Sequence, residues 1–230
     1  MSSYQRDEQD AAELEEKRRV VKYPVAERFK AVQGEGLYTG VPMAFIRLVG
    51  CSVGHKVCTA CDTQFDQTYP HLGGGLYSVE ELAEWVGNYQ HVCITGGEPL
   101  DRDLRPLLVA LVGKLCHIET SGTKHPKWLS EVHFDDAVWI TVSPKPGYLQ
   151  AMLDITDEIK VIIGGLGDGP GWPTVFDAEK WAKEGKLVYI QPRNGENDID
   201  VQHMQQALEL VDKMPSLRLS IQAHKYLNVR

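Results

Sequence analysis

Residues 44–63 read AFIRLVGCSVGHKVCTACDT, an apolar run that ends in glycine and then delivers three cysteines, Cys51, Cys58 and Cys61. Ala44 to Val49 has the length and composition of a buried strand, and Gly50 ends it. The spacing is C-x6-C-x2-C. One tight turn presents Cys58 and Cys61 together, and Cys51 closes on them from the strand end. Three thiolates can hold three irons of a cubane and leave the fourth iron open to a small molecule, whereas a structural metal site closes with four protein ligands. Zinc is the alternative, with His55 inside the loop as the fourth ligand. Cys93 and Cys116 fall inside apolar runs and read as packing residues.

A chain of 230 residues with 43% hydrophobic content is long enough for one domain with a sizeable core. The formal charge of −8 argues against a general nucleic-acid binder. Eight histidines and local basic clusters still leave room for a small anionic substrate. No apolar run approaches membrane-spanning length, and no signal peptide is visible. Five cysteines without a paired framework point to a reducing cytoplasm and to metal binding in place of disulfides. Residues 1–20 are densely charged, with Asp7-Glu8-Gln9-Asp10 followed by a charged stretch from Glu13 to Arg19. They read as a flexible or loosely helical tail ahead of a single domain over residues 21–230.

From Met43 onward, strands and helices alternate. Strands are expected at 44–49, 91–95, 115–119, 138–142, 158–163, 187–190 and 217–222. Helices are expected from a Ser78 cap through Val86, over 105–114, from an Asp177 cap through Lys183, and over 201–214. Such alternation implies a parallel sheet, open or curled into a barrel. Each strand ends in a polar or glycine-rich signature. In a parallel sheet those ends share one edge, so motifs distant in sequence converge there. Thr95-Gly96-Gly97-Glu98-Pro99 is one such signature: its glycines admit a ligand to the backbone, and Glu98 offers a carboxylate to an ammonium.

A three-cysteine loop after the first of these strands, followed by Gly-Gly-Glu-Pro after the second, resembles the radical S-adenosylmethionine enzymes. The chain is more closely similar to the 7-carboxy-7-deazaguanine synthases. The resemblance spans roughly residues 27–230 and is carried by Gln33-Gly34-Glu35-Gly36, Phe45-Ile46-Arg47, Cys61-Asp62-Thr63, Glu119-Thr120-Ser121-Gly122, Ser143-Pro144-Lys145-Pro146 and Gln222-Ala223-His224-Lys225. The usual radical-enzyme loop is C-x3-C-x2-C. This one is longer, a change that costs little entropy but alters the path of Ser52 to Val57.

The resemblance implies an α/β fold, a partial TIM-like barrel of the radical S-adenosylmethionine type with mostly parallel strands and a reduced helix set. It implies a [4Fe–4S] cluster on Cys51, Cys58 and Cys61, S-adenosylmethionine as cofactor, and Mg²⁺ on Thr63. A 5′-deoxyadenosyl radical would take the C6 hydrogen of 6-carboxy-5,6,7,8-tetrahydropterin, whose ring contracts to 7-carboxy-7-deazaguanine with loss of ammonia. Val32, Gln33, Gly34, Glu35, Arg47, Thr95, Glu119, His224 and the carboxylate of Arg230 match substrate contacts. Gly97, Glu98, Ser143, Pro144, Lys145 and Gln191 match cofactor contacts. Blander roles compete: a salt bridge for Arg47, a turn cap for Glu119 or Thr63, a stiff strand exit for Ser143 to Pro146, and a structural ring for His224. The implied partners are the pterin, an electron donor such as flavodoxin or ferredoxin, and a second copy in a homodimer, with no nucleic acid or membrane. Two other functions compete with this one: a glycyl-radical-enzyme activase, and a zinc-stabilised binding module using Cys51, His55, Cys58 and Cys61.

Overall fold

Successive side chains of a strand point to opposite faces of its sheet, so alternation within the strands governs this architecture. The computed structural model describes residues 21–58, 61, 63–131, 137–164, 169–195 and 199–227. Its strands are β1 Lys22–Val32, β2 Pro42–Leu48, β3 Gly75–Ser78, β4 His91–Gly96, β5 Leu115–Thr120, β6 Val138–Val142, β7 Glu158–Ile163, β8 Val188–Pro192 and β9 Arg218–Leu219. They form one nine-stranded sheet in the order β3-β1-β2-β4-β5-β6-β7-β8-β9. Every pairing from β2 to β9 is parallel, and β1 runs antiparallel to β2 and β3. Among the described residues the outer strands β3 and β9 do not pair, so the curled sheet is a partial barrel, as the fold class above anticipates.

The outward face is apolar. Ile46, Ile94, Ile118, Val142, Val161 and Ile190 belong to one buried core with residues of the helices that connect the strands. Leu82 comes from Val79–Val86, Leu107 from Arg105–Ala110, Met152 from Gln150–Ile155, Trp181 from Val175–Lys183 and Ala207 from Val201–Lys213. Each fully buried aliphatic side chain of this kind contributes roughly 1.5–3 kcal/mol.

The inward face is different. Phe29, Phe45, Cys93, His117 and Trp139 stand side by side in register on five neighbouring strands and make a floor. Above them runs a polar row. Glu27, Arg47 and Thr95 are in register on β1, β2 and β4, and Glu119, Thr141 and Glu158 are in register on β5, β6 and β7. Parallel strands are usually apolar on both faces. Here the inner face is a lined chamber.

Several boundaries differ from the sequence expectation for local reasons. Thr174, not Asp177, caps the helix ending at Lys183. Asp177 sits at the third helical position and returns a carboxylate to the Thr174 backbone, a reciprocal capping box. The helix after Leu104 ends at Ala110, short of the expected Lys114. The last strand is only Arg218–Leu219, because the chain then leaves the sheet. The Ser220 hydroxyl donates to Gln191 Oε1 at 2.8 Å, and Ala223–Leu227 turns into a helix. Strands β1 and β3 were not anticipated; Pro24 and alternating charge disguise β1.

His117 on the floor is 3% exposed, and its ring nitrogen lies 3.0 Å from that of His91. Burial first, and then the neighbouring His91, lower its pKa from the ordinary 6.5 to about 4. The unfolded chain therefore binds a proton below pH 6.5 that the folded chain refuses until about pH 4. This contribution to stability is complete above pH 6.5 and declines as pH falls towards 4, by roughly 3 kcal/mol. Denaturation at the two pH values should show a smaller stability difference for His117→Gln than for the unaltered chain.

Candidate active site

The cysteine loop is wedged against the glycines that follow β4. Glu98 N donates to Gly50 O at 3.1 Å, and a Cβ placed on Gly97 would lie 2.2 Å from Gly50 O and 2.4 Å from Cys51 Cβ. Only glycine allows that approach. The loop is further pinned by Ser52 N to Asp101 Oδ2 at 2.7 Å, by Arg102 Nη2 to Val49 O at 2.9 Å, and by Gly50 N to Phe65 O at 2.8 Å. Within it, Gly54 N donates to Cys51 Sγ at 3.4 Å, and Cys58 N to Gly54 O at 3.1 Å. Burial raises the Cys58 thiol pKa, and Lys145 opposes that rise. Burial likewise raises Cys51, against the Gly54 N–H.

All three thiols line one cavity of about 570 Å³ at the carboxyl ends of the parallel strands. That volume is in the range of small-molecule sites. Val32, Gln33, Gly34, Glu35, Arg47, Thr63 and Thr95 also line it. So do Gly97, Glu119, Ser143, Lys145, Gln191 and His224. The topology thus brings together nearly all the candidate residues.

Glu98 and Pro144 do not line it. Glu98 is 1% exposed, and its carboxylate is consumed by four donors. Oε1 accepts from Leu100 N at 3.1 Å and Thr120 Oγ1 at 2.6 Å, and Oε2 accepts from Ser121 N at 2.9 Å and from the Ser121 hydroxyl. It is a strut between the ends of β4 and β5. Arg230 lies outside the described residues. His55 stacks on Phe65 at 5.1 Å and does not line the cavity, and among the described residues no three of His, Cys, Asp and Glu close on a single ion. A cubane binds each thiolate through a different iron, so its ligands stand farther apart than those of one zinc. The open three-thiol arrangement fits that group. Cys93 and Cys116 are buried, at 0% and 2% exposure, and burial raises both thiols.

No family profile matches the chain. It is 34% identical to the 7-carboxy-7-deazaguanine synthase of Escherichia coli K12 over 237 aligned residues, covering 91% of this chain and 100% of that one. It is 37% identical to the enzyme of the same name from Synechocystis over 231 residues, covering 91% and 95%. The chain belongs to the 7-carboxy-7-deazaguanine synthase family. The crystal structure of QueE from Escherichia coli matches it with a TM-score of 0.66 at 31% identity, over 88% of this chain and 95% of that one. The 7-carboxy-7-deazaguanine synthases are radical S-adenosylmethionine lyases of queuosine-type biosynthesis, with an iron–sulfur cluster and S-adenosylmethionine as cofactors.

Several chamber residues escaped the sequence reading. Phe29 and Phe45 stack with ring centroids 4.8 Å apart and planes 6° from parallel, a flat wall below Arg47. Glu27 Oε1 accepts from Arg47 Nε at 2.8 Å, so the salt bridge weighed for Arg47 exists inside the cavity. It engages Nε and leaves the terminal guanidinium nitrogens out of that bond. Trp172 faces Lys145, whose ammonium is 5.6 Å from its ring centre. Lys160, 4% exposed, contacts Glu35 Oε2 at 2.5 Å and Glu119 Oε1 at 3.7 Å. Gln33 Nε2 donates to Glu119 Oε1 at 3.1 Å, while its Oε1 accepts from Gly34 N at 2.8 Å and Glu35 N at 3.2 Å. Gly34 is pressed against the His224 ring; a Cβ there would fall 2.1 Å from Nδ1. Alternation in Glu158-Ile159-Lys160-Val161 was the available signal for Lys160.

Replacing Cys58 by alanine should abolish cluster loading, read as iron and sulfide per chain after anaerobic reconstitution, whereas Cys116→Ala should retain both. Gly97→Ala should also lower cluster content, because the added methyl overlaps the loop backbone. Unaltered iron and sulfide in Cys58→Ala would remove Cys58 from the ligand set.

Proposed function

We infer that this chain converts 6-carboxy-5,6,7,8-tetrahydropterin to 7-carboxy-7-deazaguanine with release of ammonia. The observation that carries this is one chamber with two chemically different parts: three thiols at its mouth and a row of charged side chains above an aromatic floor. The cluster and S-adenosylmethionine, when bound, supply the radical that removes hydrogen from the substrate. The chain positions the reactants and excludes water.

The assignments of residues to roles follow from chemistry and place. Cys51, Cys58 and Cys61 hold the cluster. Gly97, Ser143, Lys145 and Gln191 line the cavity between the cysteine loop and β8 and take the S-adenosylmethionine. Gln191 is held by the Ser220 hydroxyl. Arg47 receives the substrate carboxylate through its terminal nitrogens, since a guanidinium can hold a carboxylate with two parallel bonds. Arg47 and Thr95 are in register, and Glu119 follows on the next strand, so the row spans roughly 10 Å at about 4.8 Å per strand. Thr95 and Glu119 then face the amide and amine edge of the pterin, with the backbone of Val32, Gln33, Gly34 and Glu35 closing over it while the Glu35 carboxylate turns to Lys160 and Gln222. His224, against Gly34, is placed to hold that closing loop or to handle a proton.

Thr63 lines the same cavity and supplies an oxygen for Mg²⁺, an ion that takes few protein ligands and keeps its waters. A flavodoxin or ferredoxin delivers the electron, the working form is a homodimer, and the reaction runs in the cytoplasm. No helix among the described residues is long and apolar enough to cross a membrane.

The direct test is anaerobic reaction of the reconstituted chain with carboxytetrahydropterin, S-adenosylmethionine and reductant. The expected mass spectrum contains 7-carboxy-7-deazaguanine; 5′-deoxyadenosine without that product would contradict the assignment. Arg47→Lys should weaken pterin binding roughly ten- to a hundredfold, as expected for a charge-assisted bond, while leaving S-adenosylmethionine binding nearly intact. Equal losses for the two ligands would make the Glu27 pairing its whole purpose. Thr63→Ala should weaken the magnesium dependence of turnover more than cofactor affinity, and an unchanged magnesium titration would withdraw that ligand.

A further inference from the structure

Lys160 is buried in a part of the chamber that carries more carboxylates than cations. Its ammonium sits 2.5 Å from Glu35 Oε2, on the loop after β1, and 3.7 Å from Glu119 Oε1, at the end of β5. Glu35 Oε1 is independently held by Gln222 Nε2 at 2.9 Å. Both oxygens of Glu35 are therefore committed inside the protein. Glu119 differs: Gln33 donates to Oε1, and among the described residues no hydrogen bond engages Oε2. Glu158, the third carboxylate near Lys160, receives Leu37 N on Oε2 at 2.9 Å.

We propose that Lys160 is the positioning residue for substrate in this chamber: it neutralises Glu35 and leaves Glu119 as the one anionic acceptor facing the amino-pyrimidine edge of the pterin. The inference rests on the function proposed above and extends it to a residue outside the sequence motifs. Glu35 and Glu119 share this one ammonium and carry one surplus negative charge between them, while Glu158 is turned to the Leu37 N–H. An amino-pyrimidine edge presents adjacent N–H donors, and these match a carboxylate as a guanidinium fork does. If Glu35 kept its charge without Lys160, two anions would compete for that edge, and one would remain buried without a counter-ion, which is costly. Burial alone would push the Glu35 carboxyl up, but Lys160, helped by Gln222, overrides it and holds Glu35 below the usual carboxylate range. Burial would lower Lys160, but Glu119, Glu35 and Glu158 together raise it. The pair is thus ionised throughout the neutral range.

The test compares Lys160→Met with the double variant Lys160→Met/Glu35→Gln, which removes both charges and restores the balance at Glu119. The probes are carboxytetrahydropterin and S-adenosylmethionine, titrated separately by calorimetry into cluster-loaded protein without reductant, so that no turnover occurs. Lys160→Met should bind the pterin about tenfold or more weakly, with S-adenosylmethionine affinity within about twofold of the unaltered chain. The double variant should regain most of the pterin affinity. Pterin affinity unchanged in Lys160→Met would overturn the proposal, as would a loss shared by both ligands that the double variant does not repair. If Lys160→Met fails to fold, the double variant decides alone: a folded double variant that binds S-adenosylmethionine but not the pterin also overturns it. Failure of the unaltered holoprotein to bind the pterin at all would instead remove the proposed function itself, and this inference with it.

Discussion

The contact between Lys160 and Glu35 joins parts of the chain that strand pairing cannot reach. Glu35 follows β1 near one edge of an open sheet, and Lys160 lies on β7 towards the other. Around this pair runs a continuous chain of polar contacts: Asn194 to Gln222, Gln222 to Glu35, Glu35 to Lys160, and through Glu119 to Gln33. Backbone bonds reinforce it, with Ala223 N donating to Gly34 O at 2.8 Å. The loop after β1 is thereby drawn across the barrel mouth and meets the segment after β9. A buried ion pair of this kind is weak evidence for stability, because desolvation offsets the attraction. Its value here is geometric, since it fixes where a polar chamber begins and which carboxylate faces inward.

That arrangement is tolerable because the two faces of the sheet have separate duties. The outward face and its helices form the large apolar core. The inward face keeps only a small apolar patch around Met43, Phe45 and Cys93, and gives its remaining positions to charged, hydroxyl and imidazole groups. The helices and the outer core hold the strands, and the strands hold the chemistry. At the rim, small residues decide: Gly97 lets the cysteine loop lie against the backbone, and Gly34 lets His224 approach.

Much of this could be read from residue order. A strand ending in three cysteines, a second ending in Gly-Gly-Glu-Pro and others ending in hydroxyl or Ser-Pro-Lys-Pro signatures imply a shared edge, and one cavity is lined by residues from all of them. Ser78 capping a helix through Val86 was legible because a capping box is local. Glu98 was misplaced because four donors draw its carboxylate inward, three of them from Thr120 and Ser121 at the end of the next strand. Lys160 and Glu27 went unassigned for the complementary reason. Each reads as an ordinary charge in a strand until the cross-strand register sets Glu27 beside Arg47 and the loop after β1 reaches Lys160. Strand β1 itself was hidden because Glu27, Arg28 and Lys30 interrupt its apolar residues, a bulge between Val25 and Glu27 breaks its alternation, and its start holds Pro24.

As proposed above, the chamber reads its substrate from two ends, a cationic one at Arg47 and an anionic one at Glu119 whose charge Lys160 sets. An anaerobic crystal structure of the cluster-loaded chain with S-adenosylmethionine and carboxytetrahydropterin measures this directly. The expected electron density has the substrate carboxylate on the Arg47 guanidinium and the amino-pyrimidine edge on Glu119, with Lys160 still bonded to Glu35. A pterin lying in the reverse sense, or one whose amino edge meets Glu35 after Lys160 has moved away, would contradict it.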